Sequence, residues 1–480
     1  MTRAAIPLRR RRTRRLLVCG ALAMNALTQY GQVVLAQSPA PVTIGAVIDA
    51  AMKDRPTVIE ATARATAATE AIRESEAAFM PRLDGLWQLN RASRNNVFGL
   101  LLPQSIVPPI SGPVLGTDTF ESAWGSAAGL LFSAEVFDFG RRSTTVDAAR
   151  AQAASTDAQT SLARLNAGVA AADAYLAALG AQQALAVARA NVARLETLYK
   201  TVKSQVDAEL KPGVDQSRID AELAAARNQL VTSEQLLAIA KLTIAEAMGQ
   251  VDLEVALDPG RLLSAEPPPT GPADQQPITH PAVIAATEAA KAAEMRSEAT
   301  RLSFRPRIFF NGALASRASG ANVNGTIDDT RGLWPDVPNW AAGLTVSFPF
   351  FERSVNSARL AVDRAEAAAL QARLQGVTQR QRIEARQAQV MLDAARRMAA
   401  NIPAQLTAAR QADAQARARY EAGLTGILEV ADAQRLLAQA ESEAALASLA
   451  VWRARLAVAV ASGDLTSFVA ETALTIPIKP

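Results

Sequence analysis

Few residues in this chain are equipped for reaction chemistry. It has one histidine, His280, and one cysteine, Cys19. A zinc site of the usual Cys/His kind needs more ligands than these, and an intramolecular disulfide needs a second cysteine. There is no P-loop, no glycine-rich dinucleotide turn after a strand, and no acid pair in an expected cleft. No enzyme, cofactor or metal is therefore expected, and His280, just before Pro281, reads as a structural or surface residue. What remains is ionic and hydrogen-bonding chemistry. Asp413, Arg417 and Tyr420 recur at spacings of four and three, which puts them on one helix face beside Glu421. Asp207 and Glu209 form a second such set. Taken singly, each of these residues reads as a solvated helix face.

The elements that carry them are unusually long. From Arg141 to about Gln205 there is no proline, and the only glycines are Gly168 and Gly180. At 1.5 Å per residue such a helix spans on the order of 95 Å. Residues 354–422 are similar, interrupted by Gly376 and Pro403. Leu162, Leu165, Val169, Ala172, Leu176 and Leu179 follow coiled-coil spacing; the seam then slips and resumes as Leu185, Val192, Leu195, Tyr199, Val202 and Val206. Alanine at many contact positions allows close helix approach. A single soluble domain has no use for helices of this length, whereas a rod, a tunnel or a bridge between compartments does.

The chain is a duplication. Arg55-Pro56 and Phe79-Met80-Pro81-Arg82 return as His280-Pro281 and Phe304-Arg305-Pro306-Arg307, both prolines at an offset of 225. Val136-Phe137-Asp138-Phe139 matches Phe350-Phe351-Glu352-Arg353, and Gly249 matches Gly463, at an offset of 214. The first half is longer, with its surplus between Pro81 and Val136. This division gives a first repeat over 37–249, with strands at about 82–90 and 124–137 and helices at about 43–80, 141–205 and 215–248. A linker follows over 250–279. The second repeat covers 280–463, with strands at about 306–316 and 340–350 and helices at about 281–303, 354–421 and 427–462, before a tail over 464–480.

The strands alternate with period two. Trp340, Ala342, Leu344, Val346 and Phe348 face one way; Ala341, Gly343, Thr345 and Ser347 face the other. Fifteen of the 22 aromatic residues fall in 82–139 and 304–351. One-sided apolar strands with aromatic ends suit a lipid-facing barrel, although any single strand alone also suits a soluble sheet packed on helices. Four strands are too few to close a membrane barrel, and open edges in lipid would leave backbone groups unpaired. Three copies supply twelve strands. The expected fold is thus mainly α with membrane β: a trimeric 12-stranded β-barrel continued by a long α-helical barrel.

The formal charge of +4 points at first to an anionic partner. Seven arginines, however, lie in residues 1–36 (Arg3, Arg9, Arg10, Arg11, Arg12, Arg14 and Arg15), and no acid does. With the short apolar run from Leu16 and a site ending at Ala36, this stretch reads as a cleaved signal peptide. Without it the balance is 43 basic against 46 acidic residues, and nucleic acid loses its support as a partner.

Taken in order, these elements resemble the TolC-like outer-membrane factors of tripartite efflux and type I secretion. The resemblance is carried by Arg55-Pro56, His280-Pro281, Pro81 and Pro306, the turn Phe137-Asp138-Phe139-Gly140-Arg141, and Tyr420-Glu421-Ala422-Gly423-Leu424-Thr425 followed by Val430-Ala431-Asp432. It departs from the family pattern at Ser354, where the first turn has Gly140, and at the first hairpin tip, Leu210-Lys211-Pro212-Gly213-Val214-Asp215. The resemblance implies a passive homotrimeric channel in the outer-membrane lipid, extending into the periplasm of a Gram-negative cell. It also implies docking to a periplasmic adaptor (membrane fusion) protein and an inner-membrane pump. The tips fall near 208–215 and 422–429, so adaptor docking is assigned to Leu210, Gly213, Val214, Asp215, Gly423, Leu424, Thr425, Gly426 and Glu429. The glycines serve equally as turn punctuation. As a group, Asp413, Arg417, Tyr420, Glu421, Asp207 and Glu209 are the candidate periplasmic gate, and alanine at Arg417 and Tyr420 is expected to raise single-channel conductance. Asp84, Arg82, Arg305 and Arg307 are expected near the barrel–tunnel junction, against headgroups or water. The competing reading is a periplasmic coiled-coil adaptor or scaffold without a pore, which leaves the aromatic strand pairs unexplained.

Overall fold

A computed structural model describes residues 41–93, 121–250, 254–263, 267, 280–322, 326–328, 330–350 and 352–473. The signal-peptide assignment and most of the surplus loop of the first repeat lie outside these residues. The elements run α1 (Ile44–Asp54), α2 (Pro56–Ala77), β1 (Arg82–Ser93), β2 (Ser122–Phe137), α3 (Arg141–Asp207), α4 (Gly213–Ala247), α5 (Pro281–Leu302), β3 (Arg307–Ser319), β4 (Val337–Ser347), α6 (Arg353–Glu421), α7 (Ile427–Ser462) and α8 (Thr466–Ala473).

Four local readings need correction. The helix expected over 43–80 is two helices, because Arg55 is extended and Pro56, lacking an N–H, starts α2 afresh. β4 ends at Ser347 and not at 350, since Pro349 has no N–H for the ladder; it also begins earlier, and tolerates Pro338 because it lies at the sheet edge. α6 runs unbroken through Gly376 and Pro403. An interior proline costs about 3 kcal/mol, but α6 is held to α7 on both sides of it. Leu392 and Ala395 pack on Val451 and Ala454, and Ala409 packs on Leu437 and Ala440. Finally, the tail is partly helical. Phe468 of α8 is fully buried edge-on to Trp452 at 6.1 Å, and Arg455 Nε donates to Glu471 Oε2 at 2.9 Å.

The largest core lies midway along the long helices. Ile44, Val47 and Ile48 of α1 meet Tyr175, Leu176 and Leu179 of α3, Ile244 of α4, Val255 and Leu262 of the linker, and Trp452 and Phe468. The Tyr175 hydroxyl lies 2.9 Å from Val42 O and 2.5 Å from Asp258 O, fastening the linker to the chain start. Elsewhere the contacts are narrow and alanine-rich, as at Ala148, Ala151, Ala158 and Ala167 of α3.

The four strands form one antiparallel sheet in the order β1-β2-β3-β4, so β2–β3 pairing joins the two repeats. Leu130 stands opposite Gly85 on one side and Leu314 on the other, and Leu314 stands opposite Trp340. That face is apolar and open: Leu83 is 64%, Leu314 62%, Leu344 71% and Trp340 80% exposed. The opposite face is small and polar. Ser133 Oγ donates to Asn311 Oδ1 at 3.1 Å, and Asn311 Nδ2 donates to Thr345 Oγ1 at 3.1 Å, across three strands.

Candidate functional site

The two hairpin tips have the same backbone plan. In the first, Leu210 N donates to Gln205 O at 2.9 Å and Glu209 has φ +60. In the second, Leu424 N donates to Arg419 O at 2.8 Å and Gly423 has φ +74. Both are helix stops of the kind that glycine fits, since a Cβ is strained at positive φ. Glu209 occupies the glycine position of the first tip.

Between the tips lies a small apolar core of Val202, Ile219, Ala416, Tyr420, Ile427 and Val430. Tyr420 is 2% exposed. Its hydroxyl donates to Asp215 Oδ2 at 3.4 Å, and Lys211 Nζ sits 4.5 Å from its ring centroid. One side chain of the second tip is therefore held by an acid and a base of the first. Burial, and then the Asp215 carboxylate, push the Tyr420 phenol up to about 12, so it stays protonated and available as a donor.

One helical turn back, Arg417 makes a bidentate pair with Asp413, Nε to Oδ1 and Nη2 to Oδ2, each at 3.1 Å. Asp413 is buried and Arg417 partly so. Both partners belong to α6, so this pair does not bridge the hairpins within one chain.

The other expected gate residues stand apart from this core. Asp207 pairs with Lys203 of its own helix at 3.4 Å, and Glu209 and Glu421 are exposed. At the extreme end, Leu210 (73%), Val214 (68%) and Leu424 (71%) present apolar side chains to solvent. Gly213, Gly423 and Gly426 have open space around them, Asp215 lies in the first turn of α4, and Thr425 Oγ1 donates to Gly426 O at 3.3 Å. Glu429 pairs with Arg419 at 3.1 Å, closing the second tip on itself.

Bridges between the hairpins escaped the sequence reading. Arg435 of α7 reaches Glu222 of α4 at 2.8 Å, and Arg194 of α3 reaches Glu441 of α7 at 2.8 Å. No spacing along the chain signals such pairs.

At the other end of the helices, the strand-to-helix turn is tightly built. Asp138 accepts from Gly140 N at 3.1 Å, Arg142 N at 2.8 Å and Arg142 Nε at 3.0 Å. Arg142 also donates to Ala78 O at 3.2 Å and covers the Phe79 ring. Burial acts to raise the Asp138 carboxyl, but the three hydrogen bonds and the Arg142 charge outweigh it and hold it below the usual carboxylate range.

The family model for the outer membrane efflux protein matches residues 47–250 and 278–464, which cover both repeats. The chain belongs to the outer membrane efflux protein family. It is an efflux channel of the Gram-negative outer membrane.

Solved structures agree at the level of fold. VceC of Vibrio cholerae superposes with a TM-score of 0.70 at 18% identity, over 88% of this chain and 96% of that one. CmeC of Campylobacter jejuni gives 0.71 at 14% identity, over 91% and 90%. The open state of MtrE of Neisseria gonorrhoeae gives 0.68 at 19% identity, over 88% and 89%. Among curated proteins the comparison finds no match. For this efflux protein, the match spans both the exposed sheet and the two tips.

His280 plays the structural part in this fold. It is buried, caps α5 by accepting from Ala282 N at Nδ1 (3.2 Å), and packs against Gly463. Burial pushes its imidazole below the ordinary value, against the smaller opposing effects of Glu384 and the Val460 carbonyl.

Proposed function

We propose that this efflux channel works as a homotrimer whose three sheets close a 12-stranded barrel, continued by an α-helical tunnel. The observation that carries this reading is the sheet itself. Its apolar face is open to the surroundings, and β1 and β4 are its edges. In lipid, unpaired edge N–H and C=O groups are prohibitive, and pairing β4 of one copy with β1 of the next removes both edges. α6 supports the same assembly. Val355, Val362, Ile383, Val390, Met391 and Met398 are each more than half exposed along it, on a side that α5 and α7 leave free. A second copy would cover that stripe.

The conduit is passive, and a periplasmic adaptor and an inner-membrane pump supply selection and energy. The exposed Leu210, Val214 and Leu424 at the tips are apolar contacts suited to an adaptor. The Tyr420–Asp215–Lys211 contact holds the two hairpins of each chain together in the closed tip, and Asp413–Arg417 stiffens α6 behind it. Outer-membrane fractions run on gels with and without heating should give a heat-modifiable trimer. A monomeric, periplasm-soluble product would instead favour a scaffold without a pore.

A further inference from the structure

The duplication sets two strand-to-helix junctions side by side, and they differ in charge. In the first, the Asp138 carboxylate sits on the N-terminus of α3 and pairs with buried Arg142. At the offset of 214, Asp138 corresponds to Glu352 and Arg142 to Asn356. Glu352 makes no side-chain cap on α6; its main-chain carbonyl, not its carboxylate, accepts from Asn356 N at 2.8 Å. Asn356 is 5% exposed, and its side-chain carboxamide makes no hydrogen bond to any described residue.

This junction opens into a cavity of about 320 Å³, lined by Arg141, Arg307, Arg359, Asn356, Thr300 and Glu352 among others. That volume lies near the small end of ligand pockets, which run from about 300 to 1,000 Å³. Arg141 pairs with Glu135 at 3.2 Å through Nη2, but its Nε is buried without a partner. Arg307 and Arg359 form no ion pair with a described residue. Three guanidinium groups, an unpartnered side-chain amide and the N-terminus of α6 thus line the cavity, against Glu352 and the Glu135 partner of Arg141.

We propose that this cavity binds a tetrahedral phosphate-class anion between these side chains and the N-terminus of α6. Forked N–H donors match such an anion, and a helix N-terminus favours it. The chemistry is shared by two sources, free phosphate and the phosphodiester of a lipid headgroup. The proposal stands apart from the channel reading, and its failure would leave that reading intact.

The test uses the full assembled chain purified in detergent. One arm measures phosphorus retained per chain and identifies any lipid by mass spectrometry. The other titrates delipidated protein with inorganic phosphate in chloride buffer. Retained phospholipid identifies the headgroup as the source; titratable phosphate binding without it identifies the free anion. Arg307→Gln and Arg359→Gln should each weaken uptake about tenfold or more, as loss of a charge-assisted hydrogen bond implies. Asn356→Asp, which introduces a carboxylate and keeps every arginine, should weaken it as well. Should the arginine variants fail to assemble, this third variant carries the test. Absence of both retained phosphorus and phosphate binding in the unaltered protein would overturn the proposal, as would equal binding by the unaltered protein and every variant that assembles.

Discussion

Removing the Tyr420 hydroxyl is the sharpest perturbation of the tip. Tyr420→Phe keeps the ring in its apolar core with Val202, Ile219 and Val430 and keeps Lys211 over its face, so the packing survives. What is lost is the donor to Asp215 Oδ2, a long contact at 3.4 Å. At that length it is worth about 0.5–1.5 kcal/mol net, the range of an ordinary hydrogen bond. Three copies acting together give about 1.5–4.5 kcal/mol, or roughly a tenfold to 2,000-fold shift from closed to open tips. Asp215→Asn removes the charge of the same contact and should act in the same direction. Arg417→Ala breaks a pair confined to α6, so it should shift gating only through what that stiffness or a neighbouring copy contributes. The assay is single-channel recording in planar bilayers, with thermal unfolding as the control for folding. Higher open probability or conductance in Tyr420→Phe and Asp215→Asn, at unchanged thermal midpoint, is expected. Unchanged traces in both would refute the idea that this contact holds the tips closed.

Other consequences are as direct. Glu209→Gly relieves a non-glycine residue at φ +60. It should stabilise the protein by about 1 kcal/mol per chain, read as a higher denaturation midpoint. Arg142→Ala leaves the buried Asp138 carboxylate without its charged partner. A loss of about 3–5 kcal/mol is expected, visible as a lower unfolding temperature or failed assembly. For His280 the folded-state value lies below 6.5, so the unfolded chain takes up protons first. Stability is then fully present above about pH 6.5 and falls as pH drops below it. His280→Asn, which keeps a helix cap, should flatten that part of the thermal-midpoint profile.

Features set by short-range rules were legible along the chain. Prolines at Pro56 and Pro281 start helices in both repeats because the missing N–H is harmless there. Strand alternation in β4 placed Trp340 and Leu344 on one face because pleating has period two. The Asp413–Arg417 pair followed from helix geometry, since four residues make about one turn. The partners of Tyr420 at the first tip did not follow. Asp207 and Glu209 had the right chemistry, but Asp207 turns to Lys203 and Glu209 sits in the turn itself, while Asp215 and Lys211 reach Tyr420.

By itself, then, the sequence determined what repeats and what each segment is locally: duplicated order, long helices, one-sided strands, paired tips. Such features depend on neighbours a few residues away. Tertiary structure decided which distant side chains meet, because the lateral setting of one long helix on another rests on many small alanine contacts that leave no periodic mark of their own. Tyr420 against Asp215, Arg435 against Glu222, and the contrast between the Asp138 and Asn356 junctions all arise at that level. In each, the two sides come from different segments, and only the fold sets the distance between them.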